Sequence, residues 1–128
     1  MNREQLIEMG RKNRIGFGLA NMGNCFCFYK TQAKRRELDF ELTKEQFYEI
    51  TQRDCYYCGA KPSNKLTGHK SCYGEYIYNG IDRMDNTGSY IMGNVVPCCK
   101  DCNRAKGKLT VQEFKDWISK VYNNFRGE

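Results

Sequence analysis

Tyr78-Asn79-Gly80-Ile81-Asp82-Arg83, then Asn86-Thr87-Gly88, then Gly93-Asn94-Val95-Val96-Pro97-Cys98-Cys99-Lys100-Asp101-Cys102-Asn103-Arg104-Ala105-Lys106-Gly107 is the stretch that decides the fold. Tyr76, Ile77 and Tyr78 lead into Asn79-Gly80 and then Ile81-Asp82-Arg83, Asn86-Thr87-Gly88 marks a turn, and Tyr90 to Val96 reads as a second strand. The pair forms an antiparallel hairpin whose long connection has room for a bulge. Pro97 ends the second strand in this reading, and Lys100 to Lys106 forms a short helix that Gly107 stops. Two cysteine knuckles bracket the unit, Cys55-Tyr56-Tyr57-Cys58 and Cys99-Lys100-Asp101-Cys102. Residues 59–98 separate them, far more than in a simple zinc finger, so the insert must carry structure of its own.

Four thiolates at this spacing point to a tetrahedral zinc site, because Zn²⁺ binds four sulfur ligands in closed structural sites. A disulfide or a redox C-x-x-C is the competing reading; a redox motif needs only one pair in a βαβ setting, which the sequence lacks. Eight cysteines in 128 residues fall below the density of secreted disulfide scaffolds. No apolar run approaches the roughly 18 residues of a membrane span, and Met1-Asn2-Arg3-Glu4 lacks the apolar stretch of a signal peptide. The expected setting is intracellular and reducing, a phage gene expressed in a host cell being one such case. Cys25, Cys27, Cys72 and Cys98 are left over, either as free thiols or as a second metal site.

The length suits one domain, and 40% apolar with 13% aromatic residues excludes wholesale disorder. Lysine and arginine outnumber aspartate and glutamate by 21 to 15, a net charge of +6. That balance permits a nucleic-acid partner without proving one. Residues 1–14 are polar and helix-prone, and Gly16, Gly18, Gly23 and Asn24 mark 15–24 as loop. Phe26, Phe28 and Tyr29 precede a basic cluster, Lys30, Lys34, Arg35 and Arg36, which is either a solvated face or a phosphate-binding strip. Leu38, Phe40 and Leu42 alternate with Glu37, Asp39 and Glu41 as in a short half-buried strand. Thr43 with Gln46, and Thr110 with Glu113, have capping-box spacing. The second box opens the most regular helix: Val111, Phe114, Trp117, Ile118, Val121, Tyr122 and Phe125 form an apolar stripe that reads as core. Residues 60–73 read as a long polar loop holding the only histidine, His69.

Asp82 at a strand end and Asn103 just after the last cysteine offer two hard oxygen ligands. If strand, loop, strand and helix bring them together, the pair suits Mg²⁺, which keeps several waters and binds substrate phosphates.

Residues 29–106 resemble the small zinc-stabilised HNH endonucleases of bacteriophages. The likeness runs through Tyr29 to Arg36, Phe40, Leu42-Thr43, Phe47, Cys55-Tyr-Tyr-Cys58-Gly59, Tyr78 to Arg83, Gly88-Ser-Tyr90, Gly93 to Cys99 and Cys102 to Lys106. It implies a ββα-metal fold, a structural zinc on Cys55, Cys58, Cys99 and Cys102, and DNA phosphodiester cleavage with Mg²⁺ or Mn²⁺. Asp82 matches the metal-binding carboxylate, Asn94 the asparagine that braces the loop, and Asn103 the last metal ligand. Cys99 is preferred to Cys98 because it completes the C-x-x-C. Lys106 sits where the family often places a phosphate-binding lysine, with Arg104 beside it.

One position departs from the pattern. The family's general-base histidine follows the carboxylate directly, and Arg83 stands there. Arginine stays protonated and cannot take a proton from water. Arg83 is either a phosphate clamp or a structural arginine. His69 is either a solvated loop residue, a base reaching in or a weak metal contact; Asp85 is either a turn former or a base.

These readings amount to one α+β domain over residues 1–128. It comprises a basic N-terminal region (1–54), a zinc-stapled ββα-metal core (55–109) and a C-terminal packing helix (110–128). The expected activity is a metal-dependent DNA endonuclease or nickase. The alternative is a zinc-dependent nucleic-acid-binding module that has lost catalysis through Arg83.

Overall fold

The computed structural model describes residues 2–5, 19–66 and 75–127. His69 and Cys72 lie outside them, as do Leu6, Met9, Gly16 and Gly18. In chain order the elements are α1 (Leu19–Arg35), α2 (Lys44–Thr51), β1 (Asn64–Leu66), β2 (Tyr76–Tyr78), β3 (Gly80–Arg83), β4 (Val95–Cys98), α3 (Lys100–Lys106) and α4 (Val111–Arg126). The fold is mixed α and β, with two small antiparallel sheets, β1–β2 and β3–β4.

α1 corrects the expected loop, since it runs straight through Gly23 and Asn24. Tertiary packing overrides the local signal: Met22, Cys25, Phe26 and Ala33 recur on one helical face and are all buried in the core. The Phe26 ring meets Phe40 and Phe47 edge-on at 5.5 and 5.6 Å. Phe47 of α2 is fully buried, a contribution of about 1.5–3 kcal/mol by area alone. A Cβ at Gly23 would meet nothing within 4 Å. Gly23→Ala should therefore raise stability by about 0.5–1 kcal/mol, through the backbone freedom removed from the unfolded chain, as read by denaturant unfolding.

Both capping boxes form. The Thr43 and Thr110 hydroxyls each accept from the N3 amide at 3.1 Å, and the Gln46 and Glu113 side chains each return a bond at 2.9 Å. Leu38, Phe40 and Leu42 do turn inward, but the expected strand is reduced to one parallel bridge between Phe40 and Tyr90. The polar loop at 60–73 contains β1, whose Leu66 pairs with Tyr76 and packs on the core. Three residues are too few to show an alternation.

The hairpin is present, but its second strand begins at Val95, after a turn at 92–94 in which Gly93 takes φ +94°. β4 also continues through Pro97, which pairs with Ile81. Its carbonyl points away from β3 and accepts the Tyr56 amide at 2.9 Å. The missing proline N–H lies on that same outer side and costs the ladder nothing.

The expectation that the α4 stripe is core holds only at its first turns. Phe114 is buried, whereas Trp117 is 49% and Phe125 63% exposed, with Ile118, Val121 and Tyr122 exposed between them. Helical spacing shows that a face is apolar and leaves open what covers it.

Candidate active site and metal centre

Four cysteines meet where the first knuckle folds against the start of α3. The Sγ atoms of Cys55, Cys58, Cys99 and Cys102 all lie within 4.8 Å of one another. Cys58 Sγ and Cys99 Sγ are 3.6 Å apart. Zn–S bonds of about 2.3 Å around a tetrahedron place sulfurs about 3.8 Å apart, so the donor set and its spacing could hold a metal such as zinc.

The backbone builds this centre. Gly59 takes φ +78°, and its amide donates to the Cys55 carbonyl at 2.9 Å. A side chain would have room there, so the need for glycine is conformational. Asn79, fully buried, donates through Nδ2 to the carbonyls of Arg53 and Ala60 at 2.9 and 3.1 Å. Cys99 caps α3, its Sγ accepting the Cys102 amide at 3.4 Å. Burial opposes ionisation of Cys55, but the backbone amides of Cys99, Cys58 and Tyr57 outweigh it and lower the thiol to about 6. Cys98 points elsewhere, toward the Cys99 carbonyl, and burial followed by the Asp82 charge pushes its thiol up. Cys25 is a core thiol, raised by burial to about 11, and Cys27 is exposed. Among the described residues the leftover cysteines form no second cluster.

Beside this centre lies a cleft of about 660 Å³. Asp82, Arg83 and Asn103 line it from the ββα unit, with Lys108 just after α3, and Tyr29 and Gln32 of α1 line it together with Arg36, which follows that helix. The ββα unit thus brings Asp82 and Asn103 to one cavity. Asp82 itself is buried, and its Oδ2 carries two contacts. The Tyr57 hydroxyl donates to it at 2.6 Å, and the Lys106 ammonium lies 3.2 Å away. Burial and then the Asp82 carboxylate push the Tyr57 phenol well above its ordinary range, so it is protonated and is the donor.

Lys106 differs from the sequence expectation. Its side chain is 0% exposed, so it is an inward ion-pair partner of Asp82 and presents no charge at the surface. α3 turns it inward, four residues after the tethered Cys102. Arg104 does reach solvent; its 3.8 Å contact with Asp101, between two highly exposed groups, contributes little.

Arg83 braces the 84–94 connection while lining the cleft. Its Nη1 donates to the Asn86 and Gly88 carbonyls, each at 2.8 Å, and its guanidinium lies over the Tyr90 ring at 5.4 Å. Asn94 locks the same loop, accepting from the Asp85 amide at 3.0 Å and donating to the Ser89 and Asp85 carbonyls at 2.9 and 3.2 Å. A Cβ on Gly88 would come within 2.7 Å of the Asn94 amide nitrogen. Asp85 behaves as a turn former: Thr87 donates to it through its amide at 2.9 Å and its hydroxyl at 2.6 Å, and these bonds lower its pKa.

The basic run is divided between two cavities. Arg36 faces the cleft, whereas Lys30 and Lys34 line a separate groove with Glu37 and Asp39. Lys30 and Lys34 share one helical face, whereas Arg36 lies in the turn that follows α1. Gln32 and Lys108 line the cleft and Tyr57 reaches Asp82, although no motif flags any of the three.

No family model matches the chain. An uncharacterized protein of Acanthamoeba polyphaga mimivirus is 35% identical over 98 residues, 77% of this chain and 16% of the relative. A SPbeta prophage-derived protein of Bacillus subtilis, named for the HNH endonucleases, is 31% identical over 77 residues, 58% of this chain and 30% of its own length. An uncharacterized 29.0 kDa protein of Enterobacteria phage T4 is 32% identical over 85 residues, covering 66% of this chain and 31% of the relative. The chain thus spans less than a third of each of these relatives. Among solved structures, the rare-cutting HNH restriction endonuclease PacI superposes with a TM-score of 0.56 at 21% identity, over 83% of this chain and 80% of that one.

Proposed function

From the HNH endonuclease fold of this chain, we propose that it is a metal-dependent DNA endonuclease or nickase with a structural zinc on Cys55, Cys58, Cys99 and Cys102. The observation that carries this reading is the convergence of Asp82 and Asn103 on one cleft that Arg36 also lines. Asp82 and Asn103 would hold a Mg²⁺ or Mn²⁺ ion, their hard oxygens matching its preference. The ion, when bound, supplies charge stabilisation to the phosphoryl transition state and the departing oxygen. Lys106 balances the buried Asp82 charge. Asn94 and Arg83 fix the connection between the strands, and Arg83, buried but lining the cleft, would turn its remaining N–H donors to a phosphate bound there. Arg83 cannot serve as base, and the half-buried Tyr29 phenol, raised by burial, stays protonated. Neither of these therefore serves as base; water, or His69 from outside the described residues, is the base we propose.

Supercoiled plasmid incubated with the zinc-loaded protein should be nicked or linearised on addition of Mg²⁺ or Mn²⁺, and left intact with zinc alone. Plasmid bound yet uncut under every metal would favour a zinc-dependent binding module, a reading that Arg83 in the base position supports. The split of the basic run makes a second expectation specific. Arg36→Ala should weaken DNA binding across sequences and reduce the salt slope by about 1, while Lys34→Ala changes it less, as measured by fluorescence anisotropy over a salt series. Equal effects would restore the single-strip picture. Among the described residues, no helix is long and apolar enough to cross a membrane.

A further inference from the structure

We propose that Tyr57 is a positioning residue for Asp82, so that the four-cysteine centre sets the orientation of the carboxylate that receives the divalent ion. The proposal rests on Asp82 being a ligand of that ion. Tyr57 lies inside the first knuckle, between Cys55 and Cys58, and Lys106 lies one helical turn beyond Cys102. Both reach the same oxygen, Asp82 Oδ2, at 2.6 and 3.2 Å. The cysteines therefore tie together the two segments that grip the carboxylate.

The two grips differ in kind. Lys106 Nζ makes no hydrogen bond of good geometry, so it supplies charge without direction. The Tyr57 hydroxyl supplies direction, and its ring is itself fixed edge-on against Phe114 at 5.4 Å and Tyr56 at 5.1 Å. A carboxylate pinned through one oxygen has its rotation about the side chain settled before the metal arrives. Among the described residues Oδ1 takes no hydrogen bond, which leaves it for the ion. Partners that orient a metal ligand in this way typically contribute about 10–100-fold in metal affinity.

Tyr57→Phe keeps the ring and removes only the hydroxyl. Mn²⁺ binding to the zinc-loaded chain, followed by electron paramagnetic resonance, should weaken by about 10–100-fold. Zinc content, melting temperature and DNA affinity without added divalent metal should stay at wild-type values. Cleavage by the variant should recover as Mn²⁺ is raised, whereas Asp82→Asn should not recover. If wild type binds Mn²⁺ through Asp82 and Tyr57→Phe binds it equally well, the positioning role is wrong and the Asp82 site stands. Zinc or fold lost from Tyr57→Phe with unchanged Mn²⁺ affinity would also overturn it, making the hydroxyl part of the knuckle alone. If wild type takes up no Mn²⁺ beyond its zinc, or Asp82→Asn binds it as wild type does, the reading of Asp82 as a ligand fails and this proposal with it.

Discussion

Cys102→Ser should leave the chain without zinc and without a cooperative melting transition at neutral pH. Metal binding to four thiolates contributes roughly 10–16 kcal/mol of apparent free energy in zinc-finger peptides, against a total stability of about 5–15 kcal/mol for an ordinary domain. The local architecture raises the stakes. α3 has only seven residues, too short to persist on propensity alone, and it is anchored at Cys99 and Cys102. It carries Asn103 and sends Lys106 inward to Asp82, so its release would unpair a buried charge. Zinc analysis and circular dichroism melting check this directly; a Cys102→Ser protein that melts like wild type without zinc would dismiss the four-cysteine site.

The second large effect is at Asp82, and the choice of substitution matters. Asp82→Ala would strand the Lys106 ammonium in the interior, a loss of roughly 3–5 kcal/mol that could be mistaken for a catalytic defect. Asp82→Asn also removes the counter-charge of Lys106, but its amide oxygen still accepts from Tyr57 and faces the ammonium, so it costs less stability than alanine while removing the charge that a divalent ion needs; a melting curve separates the two effects. A metal acting as Lewis acid supplies several kcal/mol, and each 1.4 kcal/mol is tenfold in rate, so cleavage should fall on the order of 10³-fold. DNA affinity, resting mainly on exposed basic groups, should change little.

The parts of this molecule set by local chemistry were legible in its sequence. The two capping boxes, the glycine stop at Gly107 and the cysteine knuckles each depend on residues a few positions apart. The hairpin was legible too, but its second strand starts five residues later and ends two residues later than read, because Pro97 reads as a terminator unless it is known that its side of β4 takes no part in the ladder. What could not be read depends on distant packing. α1 runs through Gly23 because a buried face formed with Phe40 and Phe47 compensates a poor local propensity. The exposed turns of α4 carry the same periodicity as buried ones. At the site, residue type named Asp82 and Asn103 and the family resemblance named Asn94, but direction was hidden. Lys106 turns inward, Arg83 spends one nitrogen on its own loop, and Arg36 parts company with Lys34.

The most direct test is a paired measurement on one preparation: the plasmid nicking rate and the DNA dissociation constant, for wild type and Asp82→Asn, at saturating Mn²⁺ with zinc content verified. A metal-dependent nuclease centred on Asp82 predicts a loss of nicking on the order of 10³-fold with nearly unchanged DNA affinity. Nicking by Asp82→Asn at the wild-type rate would contradict it.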